Sequence, residues 1–142
     1  MQLTTILVPV DGSSFSVHAV ECAIDLAKVS GARVCVVNCY ELLDASLEVS
    51  GIFAKEITKS VEDQSNKILK KAAQLMQDAG VDFTTKSILG SPGKVLTDLA
   101  KSKEFDLVIM GSHGHSNITG LFLGSVTHKV LNTLYCPVMV VP

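Results

Sequence analysis

Leu107-Val108-Ile109-Met110-Gly111-Ser112-His113-Gly114 holds both the clue to the fold and the place where chemistry can sit. Four consecutive apolar residues leave no side for water, so they read as a strand covered on both faces; a strand with one wet face would alternate. The run then breaks at once into glycine, serine and histidine, residues that open a loop. Three other runs are nearly as continuous: Ile6-Leu7-Val8-Pro9-Val10, Val34-Cys35-Val36-Val37 and Val138-Met139-Val140-Val141. A fifth, Phe83 to Leu89, alternates more and is expected at a sheet edge. Continuous runs rich in Val and Ile are what a parallel sheet between two helical layers requires.

Helical patterns lie between these runs. Val20, Ala23, Ile24 and Ala27 recur at i, i+3, i+4, i+7, with His18, Glu21, Asp25 and Lys28 on the opposite face. Ser13 or Ser14 can cap that helix and Gly31 can end it. Val61, Ile68, Ala72, Leu75, Met76 and Ala79 form a second stripe, closed by Gly80. A third helix opens with Ser91 as cap and Pro92 at its first position, and buries Val95, Leu96 and Leu99. A fourth starts near Gly124-Ser125 and buries Val130, Leu131 and Leu134. The order β-α-β-α-β-α-β-α-β, joined by right-handed crossovers, predicts one doubly wound α/β domain over residues 1–142. The stretch from Glu41 to about Lys59 fits no period and is expected to be a long loop or arm.

Composition narrows the class. Hydrophobic residues make up 47% of the chain and charged residues 18%, with a mean hydropathy of +0.38. A net charge of −2 and a pI near 6.0 argue against nucleic acid as a partner. The segment Met1 to Thr5 lacks the basic-then-apolar order of a secretory signal, and every apolar run is too short to span a membrane. Cys22, Cys35, Cys39 and Cys136 show no Cys-x-x-Cys spacing. They read as reduced thiols in a cytoplasmic protein.

In a doubly wound sheet, ligands bind beyond the carboxyl ends of the strands. Small polar residues gather there: Asp11-Gly12-Ser13-Ser14 after the first strand, Gly90-Ser91-Pro92-Gly93 after the third, and Gly111-Ser112-His113-Gly114 after the fourth. Gly111 and Gly114 can take backbone angles closed to other residues, letting main-chain N–H groups converge on an anion. Gly124-Ser125 opens a helix, and Ser112 and Ser125 add hydroxyl donors. Each cluster taken alone also suits an ordinary turn, and Asp11-Gly12 suits a helix entry. The segment Gly90-Ser91-Pro92-Gly93-Lys94-Val95 is no Walker A loop, and there is no Gly-x-Gly-x-x-Gly fingerprint. His113 and His115 form a His-x-His pair that lacks neighbouring Cys, Asp or Glu to complete a metal site. A Ser112, His113, Asp11 hydrolase is disfavoured, because adjacent Ser and His rarely face each other and the Gly-x-Ser-x-Gly elbow is absent.

Gly111-x-x-Gly114, nine residues, then Gly124-Ser125 matches Gly-x2-Gly-x9-Gly-Ser/Thr, the ATP-binding pattern of the universal stress proteins, and here the chain resembles that family. The likeness runs through Ile6 to Asp11 with Gly12-Ser13, Gly90-x-Pro92, Met110 to Gly114, Leu123-Gly124-Ser125-Val126 and Cys136-Pro137-Val138. It implies five parallel strands in the order 3-2-1-4-5 with four helices, a fold of the adenine nucleotide alpha-hydrolase-like class. It also implies adenosine held across strands one, two and four. On that likeness Asp11 contacts the adenosine, while Pro9, Val10 and Cys39 line the adenine pocket, Cys39 standing where the family often has valine. Gly111, Ser112, His113 and Gly114 lie along ribose and phosphates, Gly124, Ser125 and Val126 grip the phosphates, Gly90 closes the ribose side, and Met110 belongs to the same cofactor-binding set.

Three functions follow from different premises: an ATP-binding regulatory or stress-response protein, a slow ATP hydrolase or phosphotransfer enzyme, and a nucleotide-free interaction module of the same fold. The intact glycine pattern disfavours the third. The second lacks a general base at the loop, a Walker lysine and a carboxylate cluster for two metals. The expectation is therefore ATP, or AMP or ADP, held with little or no hydrolysis, with Mg²⁺ carried on the phosphates. The last strand reads as an apolar edge, and the resemblance implies a homodimer through Pro137 to Pro142.

Overall fold

A computed structural model describes residues 1–42, 51–116, 122–133 and 135–142. The elements are β1 (Thr5–Pro9), α1 (Ser14–Ser30), β2 (Arg33–Tyr40), α2 (Ile52–Asp78), β3 (Phe83–Leu89), α3 (Pro92–Lys101), β4 (Leu107–Gly111), α4 (Ser125–Leu131) and β5 (Val138–Val141). All strand pairings are parallel and the order is β3-β2-β1-β4-β5. The doubly wound sheet expected from the apolar runs is what forms, with β3 and β5 at its edges.

Alternation along each strand feeds two apolar layers. Ile6 and Val8 of β1, Val34 and Val36 of β2 and Ile109 of β4 meet Ala19, Val20, Ala23, Ile24 and Ala27 of α1 and Leu69, Ala72 and Met76 of α2. Leu7, Cys35, Val37, Val108 and Met110 face the other way, onto Leu96 and Ala100 of α3 and Val130 of α4. Both faces are therefore dry, which is why the strand sequences do not alternate. Among the described residues no helix is long and apolar enough to cross a membrane.

The helix boundaries follow local chemistry. Ser13 caps α1, its hydroxyl accepting the Ser16 N–H at 3.3 Å, and Gly31 closes it. Ser91 precedes Pro92 at the start of α3, as expected, although its side chain makes no capping bond. Within α3, Leu96 is buried while Val95 and Leu99 are half-buried; in α4, Val130 is buried, Leu131 is half-buried, and Leu134 lies outside the described residues.

One boundary corrects the sequence reading. The predicted loop from Glu41 to Lys59 is helical from Ile52 onward, while 43–50 lies outside the described residues. Gly51 stands at the cap position without a side-chain capping bond, and the first turn carries no acidic residue. The buried positions of α2 are Ser65, Leu69, Ala72 and Met76, whereas its first half is only half-buried, at Ala54, Ile57, Thr58 and Val61, a weak stripe that the sequence reading took up only from Val61.

Candidate functional site

The strand order reverses at β1, with β2 on one side and β4 on the other, and a cleft of about 270 Å³ opens beyond the carboxyl ends of these strands. Of the thirteen residues expected to bind a ligand, all but Gly90 and Ser112 line it: Pro9, Val10, Asp11 and Cys39 on one side, Met110, Gly111, His113 and Gly114 in the middle, Gly124, Ser125 and Val126 on the other.

Asp11 lies two residues beyond the end of β1 and begins the turn into α1. Its Oδ1 accepts the Ser13 N–H at 2.9 Å, and Gly12 takes φ +84° so the chain can swing into the helix. The imidazole Nε2 of His115 bonds the Asp11 carbonyl oxygen, bringing the loop after β4 onto this turn.

Cys39 lies near the end of β2, which runs on past the end of β1. Val10 N–H reaches Val37 O at 2.8 Å as the last rung between them. Backbone groups of residues two apart along a strand point the same way, so Cys39 turns its N–H and C=O toward the side where β1 has already left the sheet. Burial chiefly, and the Glu41 charge next, push the Cys39 thiol up to about 11. It is thus an apolar wall rather than a nucleophile.

The glycines of the loop differ in purpose from the expectation. Neither Gly111 nor Gly114 has a positive φ, so their role is not an unusual backbone angle. A Cβ on Gly111 would lie 2.7 Å from Phe15 Cβ and 2.9 Å from Phe15 carbonyl carbon; one on Gly114 would lie 2.7 Å from Asp11 Oδ2. A Cβ on Gly124 would lie 3.2 Å from His113 Cα. All three permit close approach.

Ser112 is turned away from the cleft. Its N–H donates to Val141 O at 2.8 Å, its carbonyl accepts the Gly124 N–H at 2.8 Å, and its hydroxyl meets His113 Nδ1 at 3.0 Å. Adjacent Ser and His do face each other here, contrary to the sequence expectation. No triad results, because His113 Nε2 is bonded to the Phe122 carbonyl and not to Asp11. That carbonyl can only accept, so Nε2 donates to it, and in the neutral ring Nδ1 accepts from Ser112. The ring also stacks at a tilt on Phe15, 5.3 Å between centroids. The His113 and His115 rings therefore bond two different carbonyls, and among the described residues no group of three His, Cys, Asp or Glu is placed for a metal. Gly90 stands apart at the end of edge strand β3, its N–H on Tyr40 O at 2.8 Å.

The sequence reading passed over Asn38 and Thr127 among the lining residues, as it did Ser16 and Ser116. Asn38, 5% exposed, donates from Nδ2 to Val10 O at 2.7 Å; a single amide inside an apolar strand run was the available signal. Thr127, 3% exposed, donates from Oγ1 to Gly111 O at 2.9 Å; it had no signal beyond lying two residues after Ser125.

Residues 3–142 match the sequence model described as the universal stress protein family. The chain belongs to that family. Universal stress protein YxiE of Bacillus subtilis is 33% identical over 142 residues, covering 95% of this chain and 96% of the relative. Among solved structures, universal stress protein UspA from Lactobacillus plantarum superposes with a TM-score of 0.84 at 22% identity, over 100% of this chain and 99% of its own. A universal stress protein in complex with cAMP superposes with a TM-score of 0.72 at 26% identity, over 100% of this chain and 98% of its own. The five-stranded parallel sheet in the order 3-2-1-4-5 with four helices is thus the architecture this universal stress protein shares with its structural neighbours.

Proposed function

We propose that the cleft holds an adenine nucleotide, with ATP as the ligand, and that this member of the family is an ATP-binding regulatory or stress-response protein. The observation that carries the reading is the convergence of Pro9 to Asp11, Cys39, Met110 to Gly114 and Gly124 to Val126 on one cleft at the point where the sheet reverses direction. Nucleotide binding also suits the neighbour solved with cAMP.

Adenine presents a donor at N6 beside an acceptor at N1. The outward backbone C=O and N–H of Cys39 are complementary to that pair, and guanine, with O6 and N1–H, reverses it. Pro9, Val10 and the neutral Cys39 thiol supply an apolar wall, and Asp11 is within the cleft for the sugar side. Main-chain N–H groups of His113 to Gly114 and of Ser125 to Val126 then face the phosphates, with Mg²⁺ arriving on them.

Turnover is expected to be slight. Both ring nitrogens of His113 are engaged, by Ser112 and Phe122, so it offers no free lone pair as a general base, and the loop supplies no Walker lysine. The single domain, 1–142, is read as a homodimer through the open edge of β5, Pro137 to Pro142, antiparallel to its copy. Four unpaired thiols suit a cytoplasmic setting.

The test is thermal unfolding with Mg-ATP and with Mg-GTP, after assay of any co-purifying nucleotide. Ligand at 100 times its Kd adds about 2.7 kcal/mol, a rise of roughly 5–10 °C. A rise with ATP and not GTP supports the reading. No rise and no bound adenine nucleotide overturns it in favour of a protein-contact module.

A further inference from the structure

A threonine hydroxyl on a helix ordinarily returns to a carbonyl three or four residues earlier in its own helix. Thr97 does so, donating to Gly93 O at 2.7 Å. Thr127 does not: its hydroxyl leaves α4 and donates to Gly111 O, sixteen residues back, at 2.9 Å. Gly111 ends β4, and its α-carbon is already pressed against Phe15 of α1. The next carbonyl, that of Ser112, takes the Gly124 N–H at 2.8 Å. One side-chain bond and one main-chain bond therefore join Gly111–Ser112 to Gly124–Thr127, closing the loop that separates the two halves of the glycine pattern.

We propose that Thr127 is a positioning residue for the nucleotide's phosphates, fixing the two halves of the Gly-x2-Gly-x9-Gly-Ser pattern at one spacing so that the main-chain donors of both address the same phosphate chain. This rests on the reading of the cleft as a nucleotide site. Removing the hydroxyl leaves the buried Gly111 carbonyl without that partner and the Ser125–Thr127 turn tied back only through the Gly124 and Phe122 bonds that precede it. The segment is then free to drift from His113 and Gly114. The adenine wall is untouched, because Val10 follows β1 and Cys39 belongs to β2, neither of which Thr127 contacts through this bond. A purely structural role would weaken every ligand alike; a positioning role weakens ligands in proportion to what their phosphates contribute.

The experiment is calorimetric titration of wild type, T127V and T127S with Mg-ATP and with adenosine. The expected result is that T127V loses about tenfold in ATP affinity and at most about twofold for adenosine, while T127S, which keeps the hydroxyl, stays near wild type for both. Equal losses for ATP and adenosine in T127V, or no loss for either, overturn the proposal while the nucleotide reading stands. Wild type binding neither ligand overturns both. Should T127V not fold, T127A against T127S makes the same comparison, and an unchanged ratio of ATP to adenosine affinity between them overturns the proposal.

Discussion

Gly111 and Phe15 meet so closely that a methyl group on Gly111 would sit 2.7 Å from the Phe15 Cβ and 2.9 Å from its carbonyl carbon. The end of β4 and the first turn of α1 thus touch through backbone, and neither can retreat without moving an element. At Gly114 the same methyl meets Asp11 Oδ2, the tip of a side chain that can turn aside. Two glycines three residues apart in one pattern are required for unlike reasons.

Their substitutions should therefore separate. G111A is expected to lose about 1–3 kcal/mol in urea unfolding, the usual range for overpacking against fixed atoms. G114A should stay within about 0.5 kcal/mol of wild type, because the atom in its way is mobile. Its effect should appear in nucleotide affinity, through the displaced Asp11 carboxylate. Similar destabilisation of both variants would refute the distinction.

The α1 cap offers a second check. Ser13 is buried at 6% exposure and its hydroxyl takes the Ser16 N–H. S13A should cost about 0.5–2 kcal/mol, and S13G only a few tenths, since glycine is tolerated at this position. A denaturant midpoint for S13A equal to that of wild type would show that the bond is not worth its geometry.

At the opposite end of the sheet, Asp106 Oδ2 accepts from Thr4 N at 2.8 Å, Thr4 Oγ1 at 2.6 Å and Thr5 N at 2.9 Å. The Thr4 hydroxyl first, then the two backbone N–H groups, hold this carboxyl at about 2, below its ordinary 3.8. A depressed carboxylate contributes stability that is complete above the ordinary value and disappears as pH falls through the folded one. The stability gap between wild type and D106N should be constant above pH 4 or so and close between 3.8 and about 2. A gap that survives unchanged to pH 2 would contradict it.

Cys39 predicts the alkaline side. With the folded thiol near 11 and the ordinary value 9.0, the unfolded chain releases its proton first. Stability is flat below about 9 on this account and declines as pH rises from there toward 11. Burial also raises Cys22 and Cys136, so C39V should remove part of the alkaline slope and not all of it. At pH 8 iodoacetamide should label Cys39 more slowly than it labels the unfolded chain, and equal rates would count against the apolar wall.

Much of this molecule can be read without coordinates because its strands are dry on both sides. Leu107 to Met110 has no other stable use, and the loops at the carboxyl ends of β1 and β4 must then share a rim. What escapes is whatever depends on a partner far along the chain. The reason for Gly111 lies in Phe15, and that for Thr127 lies in Gly111; neither pairing leaves a local period or cap. The start of α2 escapes for the opposite reason: Gly51 gives no capping bond, and the turns after it are at most half-buried, at Ala54, Ile57, Thr58 and Val61, so their repeat is weak.

That last feature has a kinetic meaning. Over Ile52 to Gln64 the helix has its own main-chain bonds and only half-buried contacts at Ala54, Ile57, Thr58 and Val61, whereas from Ser65 to Asp78 it is pinned by Leu69, Ala72 and Met76. A dozen helical residues standing alone are marginal in water. The leading turns of α2 can therefore melt and re-form while the sheet remains intact, and deuterium should enter their amides progressively faster toward Ile52, a gradient within one continuous helix.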